Sequence, residues 1–220
     1  MKKLFLAVLM AALIVPVMAQ KKNNETTVSS QPEEIKLPMP EIKGGMTLYD
    51  ALSNRQTKRE FSSESLTLQQ LSDLLWCAGG VNRDNGKLTS PTARNAQEID
   101  IYVFMEKGVF LYVPKENMLK MVLSDDHRKE ISDRSKMPAE APVTLLFYAN
   151  YEKMDGFDEA AREFYGATDA GFVSQNVYLY CAANKLSTVV MGAINRDHLN
   201  ELIPVDGKAI LAQPVGYPAK

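Results

Sequence analysis

Arg55, Thr57 and Arg59 alternate along Arg55-Gln-Thr-Lys-Arg59, so in an extended segment two guanidinium groups and a hydroxyl face the same way. Guanidinium binds phosphate bidentately, and such a face suits a phosphate and a polarised ring edge. A solvated basic turn closing a helix has the same composition, since cations favour the C-terminal dipole. Ser90-Pro-Thr-Ala-Arg-Asn-Ala-Gln97 gathers hydroxyls, amides and a proline just before a β-rich run. A binding loop sits in such a place, and so does an ordinary strand-leading turn. Leu186-Ser-Thr-Val-Val-Met-Gly192 is an apolar run ending at a glycine, where backbone approaches a ligand closely.

Other reactive side chains carry less. His127 and His198 have no Cys or carboxylate at ligand spacing on their own elements, which argues against a metal site. His198, among Arg196, Asp197 and Glu201, reads as a solvated helix residue, and Asp125-Asp126-His127-Arg128 as an exposed loop. Cys77 and Cys181 both fall in apolar helical stretches and read as buried thiols, although an oxidising compartment would permit a disulfide. Met118, Met121 and Met191 read as core fillers. No glycine-rich dinucleotide loop follows any strand.

The element that must position these groups is Asp169–Leu186. From Val177 to Ala183 every residue is apolar or aromatic, and a helix apolar all round is buried all round, in a core or against a partner chain. Seven residues are too few to span a bilayer. Asp169 is placed to cap its N-terminus, with Phe157–Tyr165 as the front of a helix leading in. Thr47 with Asp50, and Thr67 with Gln70, start two earlier helices. The first runs to about Asn54. The second carries Leu68, Leu71, Leu74, Leu75 and Ala78 at helical spacing to Gly79-Gly80.

Ile99–Met105 and Val109–Val113 form a hairpin across Glu106-Lys107-Gly108. Pro114–Leu123 reads as helical or irregular. Val143–Ala149 is a buried strand. Asn195 caps a short helix to Ile203, and Lys208–Pro214 is the last strand. Helices and strands alternating irregularly around a hairpin give an α+β class with a mixed, mainly antiparallel sheet flanked by helices.

Composition sets the frame. At 220 residues, with 45% hydrophobic and 24% charged, the chain is ordinary globular material able to bury one core. Lys+Arg 25 against Asp+Glu 27 gives no basic footprint for nucleic acid. Residues 1–19 read as a signal peptide: Met1-Lys2-Lys3, the apolar Leu4–Val15, then a small-residue cleavage site before Gln20. No cysteine follows for lipid attachment and no twin arginine precedes, so the mature protein is expected in the periplasm or secreted, without stable membrane insertion. Residues 20–45 are a polar, proline-bearing tether, and 46–220 form the domain.

Taken in order, these stretches resemble one family. R-Q-T-K-R-E-F is similar to the arginine-x-serine/threonine-x-arginine/lysine motif of the nitroreductase family, and S-P-T-A-R-N-A-Q to its Pro-Ser-x-x-Asn-x-Gln loop, with Asn95 and Gln97 in register. The helix Gly171–Leu186 with the turn to Gly192, and the closing strand P-V-G-Y-P-A, complete a resemblance from about Thr47 to Lys220. Leu74–Arg83 and the hairpin Gly108–Tyr112 resemble the azoline-dehydrogenase branch, which acts on peptides. The family often has Pro-Trp after the glutamine, where this chain has Glu98-Ile99.

The resemblance implies an FMN-dependent oxidoreductase acting as a homodimer, with flavin sites and the long buried helix at the interface. Arg55, Gln56, Thr57 and Arg59 would hold the phosphate and the N1/O2 side of the ring, with terminal Lys220 on the phosphate. Pro91, Thr92 and Asn95 would reach in from the other subunit. Val190, Met191 and Gly192 would lie along the ring, a backbone N–H near Gly192 facing N5. No residue is assigned as catalytic acid or base, because the flavin carries the redox chemistry. The substrate would be a small molecule or peptide, and the electron donor NAD(P)H. The alternative is a catalytically degenerate exported domain of the same fold that serves interaction or flavin binding.

Overall fold

In the computed structural model, which describes residues 33–219, the apolar run at Val143 becomes the strand on which both layers pack. Its eight residues, Val143–Asn150, are all buried. The leader, residues 20–32 of the tether and Lys220 lie outside the described residues. The elements in chain order are β1 (Glu34–Lys36), α1 (Leu48–Asn54), α2 (Leu68–Gly79), β2 (Ile99–Met105), β3 (Gly108–Val113), β4 (Met118–Ser124), α3 (Met137–Glu140), β5 (Val143–Asn150), α4 (Glu159–Ala183), β6 (Ser187–Thr188), α5 (Arg196–Leu202) and β7 (Gly207–Gly216).

The strands form one seven-stranded sheet in the order β1-β4-β3-β2-β5-β7-β6, and every pairing is antiparallel. Successive strand residues point to opposite faces, which divides the core in two. Ile99, Ile101 and Val103 of β2, with Leu145, Phe147 and Ala149 of β5, pack under α2 and α4. Tyr102, Phe104, Leu146 and Tyr148 face the other way, against Ile131, Leu199 and Ile203. Helices therefore cover both faces, and the central strands read as continuous apolar runs rather than alternating ones.

Local chemistry places the helices as the sequence implies. Thr47 accepts from Asp50 N–H at 3.2 Å and starts α1. Thr67 and Gln70 exchange both bonds of a capping box at the head of α2. Gly166 lets α4 lie close on the sheet, since a Cβ there would stand 2.9 Å from the Ala149 Cβ.

Three readings need correction. The segment Pro114–Leu123 is not helical: after a turn at Asn117 (φ 46°), Met118–Ser124 pairs with β3 and then with β1. Met, Leu and Lys favour helix only weakly, and free edges on the neighbouring strands outweigh that preference. Asp169 does not cap a helix, because α4 begins ten residues earlier, where Asp158 accepts from Ala161 N–H at 2.8 Å. Nor does the Asn195 side chain cap α5; it donates instead to Glu130 O at 3.0 Å.

Candidate functional site

Arg55, Thr57 and the turn after β6 meet at one residue, Tyr178 of α4. Arg55 ends α1 in extended backbone, and Lys58 N–H donates to Thr188 O at 3.0 Å, which lays the segment along β6. The Arg55 guanidinium carbon stands 5.3 Å from the centre of the Tyr178 ring, within range of a cation–π contact. Thr57 Oγ1 lies 3.1 Å from Tyr178 Oη, and Val190 N–H donates to the same oxygen at 3.0 Å. With Val190 supplying one proton to Oη, the tyrosine proton is free to go to Thr57 Oγ1. The threonine proton then remains for a ligand.

The turn beyond sorts its backbone donors. Val190 N–H goes to Tyr178. Met191 N–H goes to Ala212 O at 2.7 Å, and Ala212 returns a bond at 3.0 Å. No described residue accepts from Gly192 N–H, and Gly192 is exposed. Among the described residues neither Arg55 nor Arg59 is paired with a carboxylate. Arg55, a hydroxyl and a backbone N–H are thus open around Tyr178, and Arg59, further along the same segment, is exposed. Gln56 points elsewhere, lining a cleft of about 320 Å³ with Asn54, Lys58 and Lys185.

The loop Ser90–Gln97 sits apart from this cluster. It is wound through left-handed backbone at Arg94, Asn95 and Gln97 (φ 53°, 58° and 54°), costly for residues with a Cβ. Arg94 donates to Gly156 O at 3.3 Å, Gln97 Nε2 to Gly86 O at 3.1 Å and Lys153 Nζ to Gln97 O at 3.3 Å, and further contacts hold the loop. Thr92 Oγ1 accepts from Gln97 N–H at 2.9 Å, Asp169 Oδ2 accepts from Ala93 N–H at 2.9 Å, and Arg94 stacks 4.5 Å from the Phe157 ring centre. Asp169 and Tyr178 are nine residues apart on α4, about 14 Å along its axis and some two and a half turns round. They are therefore on opposite sides of the helix, and one chain does not bring Pro91, Thr92 and Asn95 to Arg55 and Thr57. Pro91 and Asn95 are exposed.

The structure also joins residues that sequence reasoning left apart. His127 Nδ1 and His198 Nε2 each lie 2.8 Å from a different oxygen of Glu130, so neither histidine is merely solvated. No spacing rule finds a cluster whose members are 68 residues apart. Tyr178 was missed for a different reason: inside an apolar run its hydroxyl gave no polar signal. Cys77 and Cys181 are both free thiols, and burial raises each above the ordinary thiol range, Cys77 to about 11. Among the described residues no three His, Cys, Asp or Glu side chains converge as a metal site.

A seven-stranded antiparallel sheet between helical layers, with a long helix on which an arginine, a threonine and a tyrosine meet, defines an α+β protein. Residues 52–217 match the model of the nitroreductase family. The protein MJ1384 of Methanocaldococcus jannaschii, provisionally named a nitroreductase, is 33% identical over 193 residues, covering 83% of this chain and 96% of that one. A crystal structure from Ralstonia eutropha JMP134, likewise provisionally called a nitroreductase, superposes with a TM-score of 0.81 at 37% identity, covering 86% and 91% of the two chains. Nitroreductase A of Vibrio parahaemolyticus shares the fold at 17% identity (TM-score 0.60, covering 79% and 68%). The chain belongs to the nitroreductase family of oxidoreductases.

Proposed function

We propose that the protein is an exported, FMN-dependent oxidoreductase working as a homodimer on a small or peptide-derived substrate, with NAD(P)H as electron donor. The observation that carries this reading is the set of open donors around Tyr178, the Arg55 guanidinium, the Thr57 hydroxyl and Gly192 N–H, with the exposed Arg59 further along the same segment. Their chemistry fits a phosphate and the electron-rich edge of an isoalloxazine. Bound FMN would supply the two-electron redox chemistry, with hydride exchanged at N5. The chain's own part is binding and orientation. Arg55 and Thr57 would hold the phosphate, Arg59 would set a positive charge at the N1/O2 edge, and Gly192 N–H would face N5.

Dimerisation is supported by apolar side chains left bare on α1 and α4. Tyr49 is 83% exposed, Phe164 64% and Phe172 45%, and an unpartnered apolar patch of this kind marks an interaction surface. A second copy would also bring the Pro91–Asn95 loop of one chain to the Tyr178 cluster of the other. Export follows from the N-terminal pattern and is tested by sequencing the mature protein, which should begin at Gln20. Full-length chain in the cytoplasm would contradict it.

One observation favours the degenerate alternative: Val190 N–H, on the turn that would lie along the ring, is already taken by Tyr178. Titration with FMN, read at the ~450 nm flavin band, separates the two readings. Gly192→Ala sharpens the test, because a Cβ there would meet only the Leu211 Cδ2 at 3.9 Å. The variant should keep its stability and lose flavin affinity. Unchanged affinity would remove the ring from this turn, and no binding to wild type would favour the degenerate domain.

A further inference from the structure

Glu98 and Asp169 meet where the loop Pro91–Gln97 joins α4. Glu98 is 0% exposed and Asp169 3%. Both Glu98 carboxyl oxygens are sealed from solvent, and among the described residues neither makes a well-formed hydrogen bond to an N–H or O–H donor. Asp169 is already committed as an acceptor, its Oδ2 taking the proton of Ala93 N–H. Two adjoining carboxylates without a counter-ion do not both stay ionised in a buried site. The nearest cation, Lys153 on the turn after β5, is engaged by Asp100 of β2 at 2.5 Å. Burial first, and then the hydrogen bond with Asp169, push Glu98 up to about 8, against partial opposition from its own backbone N–H and from Lys153. Glu98 is therefore the member that carries a proton near neutrality.

We propose that Glu98 donates this proton to Asp169 and so locks the Pro91–Gln97 loop onto α4, making the pair a positioning device for the loop half of the flavin site. The second part rests on the flavin reading above; the shared proton does not. Left-handed backbone at Arg94, Asn95 and Gln97 persists only while its surroundings hold it, and the Ala93–Asp169 bond is the loop's hydrogen bond to α4. When Glu98 ionises, two like charges are forced together beside that bond, and the loop's hold on α4 is loosened.

The sign of the linkage follows from the raised value. A carboxyl whose folded pKa lies above its unfolded one contributes stability that is fully present below the unfolded value, about 4.5. That contribution is lost as pH rises through about 8. Glu98→Gln mimics the protonated acid, with an amide that donates to Asp169 at every pH. Asp169→Asn replaces the like-charged neighbour by a donor, and should move the titration of Glu98 downward.

The experiment has two arms. Chemical denaturation of wild type, E98Q and D169N is followed between about pH 5 and about pH 9. Relative to E98Q, wild type should weaken from about pH 5 to about pH 8 and no further above it, and D169N should complete its loss at lower pH. Coincident wild-type and E98Q profiles would overturn the shared proton. FMN affinity is measured on wild type and E98Q over the same range. Wild type should bind roughly tenfold more weakly at about pH 9 than at about pH 7, as the competent fraction falls to about one tenth, while E98Q holds its affinity. If wild type and E98Q lose FMN in parallel, the positioning role is overturned. If wild type binds no FMN at any pH, the flavin reading and the positioning role fall together, and the denaturation arm alone decides the shared proton.

Discussion

Tyr178 Oη lies 3.1 Å from Thr57 Oγ1, tying the middle of α4 to the segment after α1 across 121 residues of chain. The same oxygen accepts from Val190 N–H at 3.0 Å. Tyr178→Phe deletes both bonds and leaves the Val190 donor unmet at a part-buried position. The loss should be about 1–3 kcal/mol in denaturant unfolding. Flavin affinity should fall as well, because Thr57 and the Val190 turn lose their common anchor. A variant as stable as wild type and equal in FMN binding would show that the cluster is incidental.

The arginines make the sharpest claim about binding. A charge-assisted contact to a desolvated phosphate is worth ~2–4 kcal/mol when one partner is removed, roughly 30- to 1,000-fold in affinity. Arg55→Ala and Arg59→Ala should each fall in that range for FMN. A solvated basic turn would instead lose less than ~0.5 kcal/mol. Arg59→Ala should also lower the reduction potential of bound flavin, because a cation at the N1/O2 edge favours the anionic reduced ring. Equal FMN affinity in all three proteins would move the phosphate away from this segment.

The bare apolar surface predicts assembly. Leu52 of α1 is 48% exposed and Phe172 of α4 45%. An obligate interface over this surface should bury more than ~2,000 Å². Light scattering should give a dimer at micromolar concentration, and Phe172→Glu a monomer or insoluble chain. Monomeric wild type would exclude the two-chain site.

Glu130 predicts an acid limit on stability. Burial works against its charge, but hydrogen bonds from His198 and His127 hold its carboxyl below the ordinary glutamate range. A lowered folded value means that the contribution is present above the unfolded pKa, and is lost as pH falls through the folded one. Wild type should therefore exceed Glu130→Gln in thermal midpoint near about pH 6, and the gap should close by about pH 3. A constant gap would show that the contact is not an ionic one.

Local chemistry made much of the fold legible. Thr47, Thr67 and Gly80 mark helix ends through bonds to residues a few positions away, and such bonds form much the same way in any tertiary setting. Periodicity identified the β2–β3 hairpin and β5, because burial on one face or two leaves a pattern of apolar residues along the strand. The order of the arginine, loop and glycine-turn motifs sufficed to place the chain in its family. The fourth strand was not legible. Met118–Ser124 has no alternation of its own, and only the unpaired edges of β1 and β3 make it a strand.

What the sequence determined by itself is therefore the set of parts: where helices start, which strands are buried, and which residue types suit an anion and a ring. Tertiary structure alone decided which of those parts meet. Tyr178 lies in a run that reads as plain core, yet it gathers Arg55, Thr57 and Val190. Asp169 has the composition of a cap, yet it sits mid-helix, buried against Glu98 and bonded to Ala93. Glu130 joins two histidines from separate elements. In each case the decisive bond spans tens of residues. Its energy depends on desolvation and distance, which exist only after the chain has closed on itself.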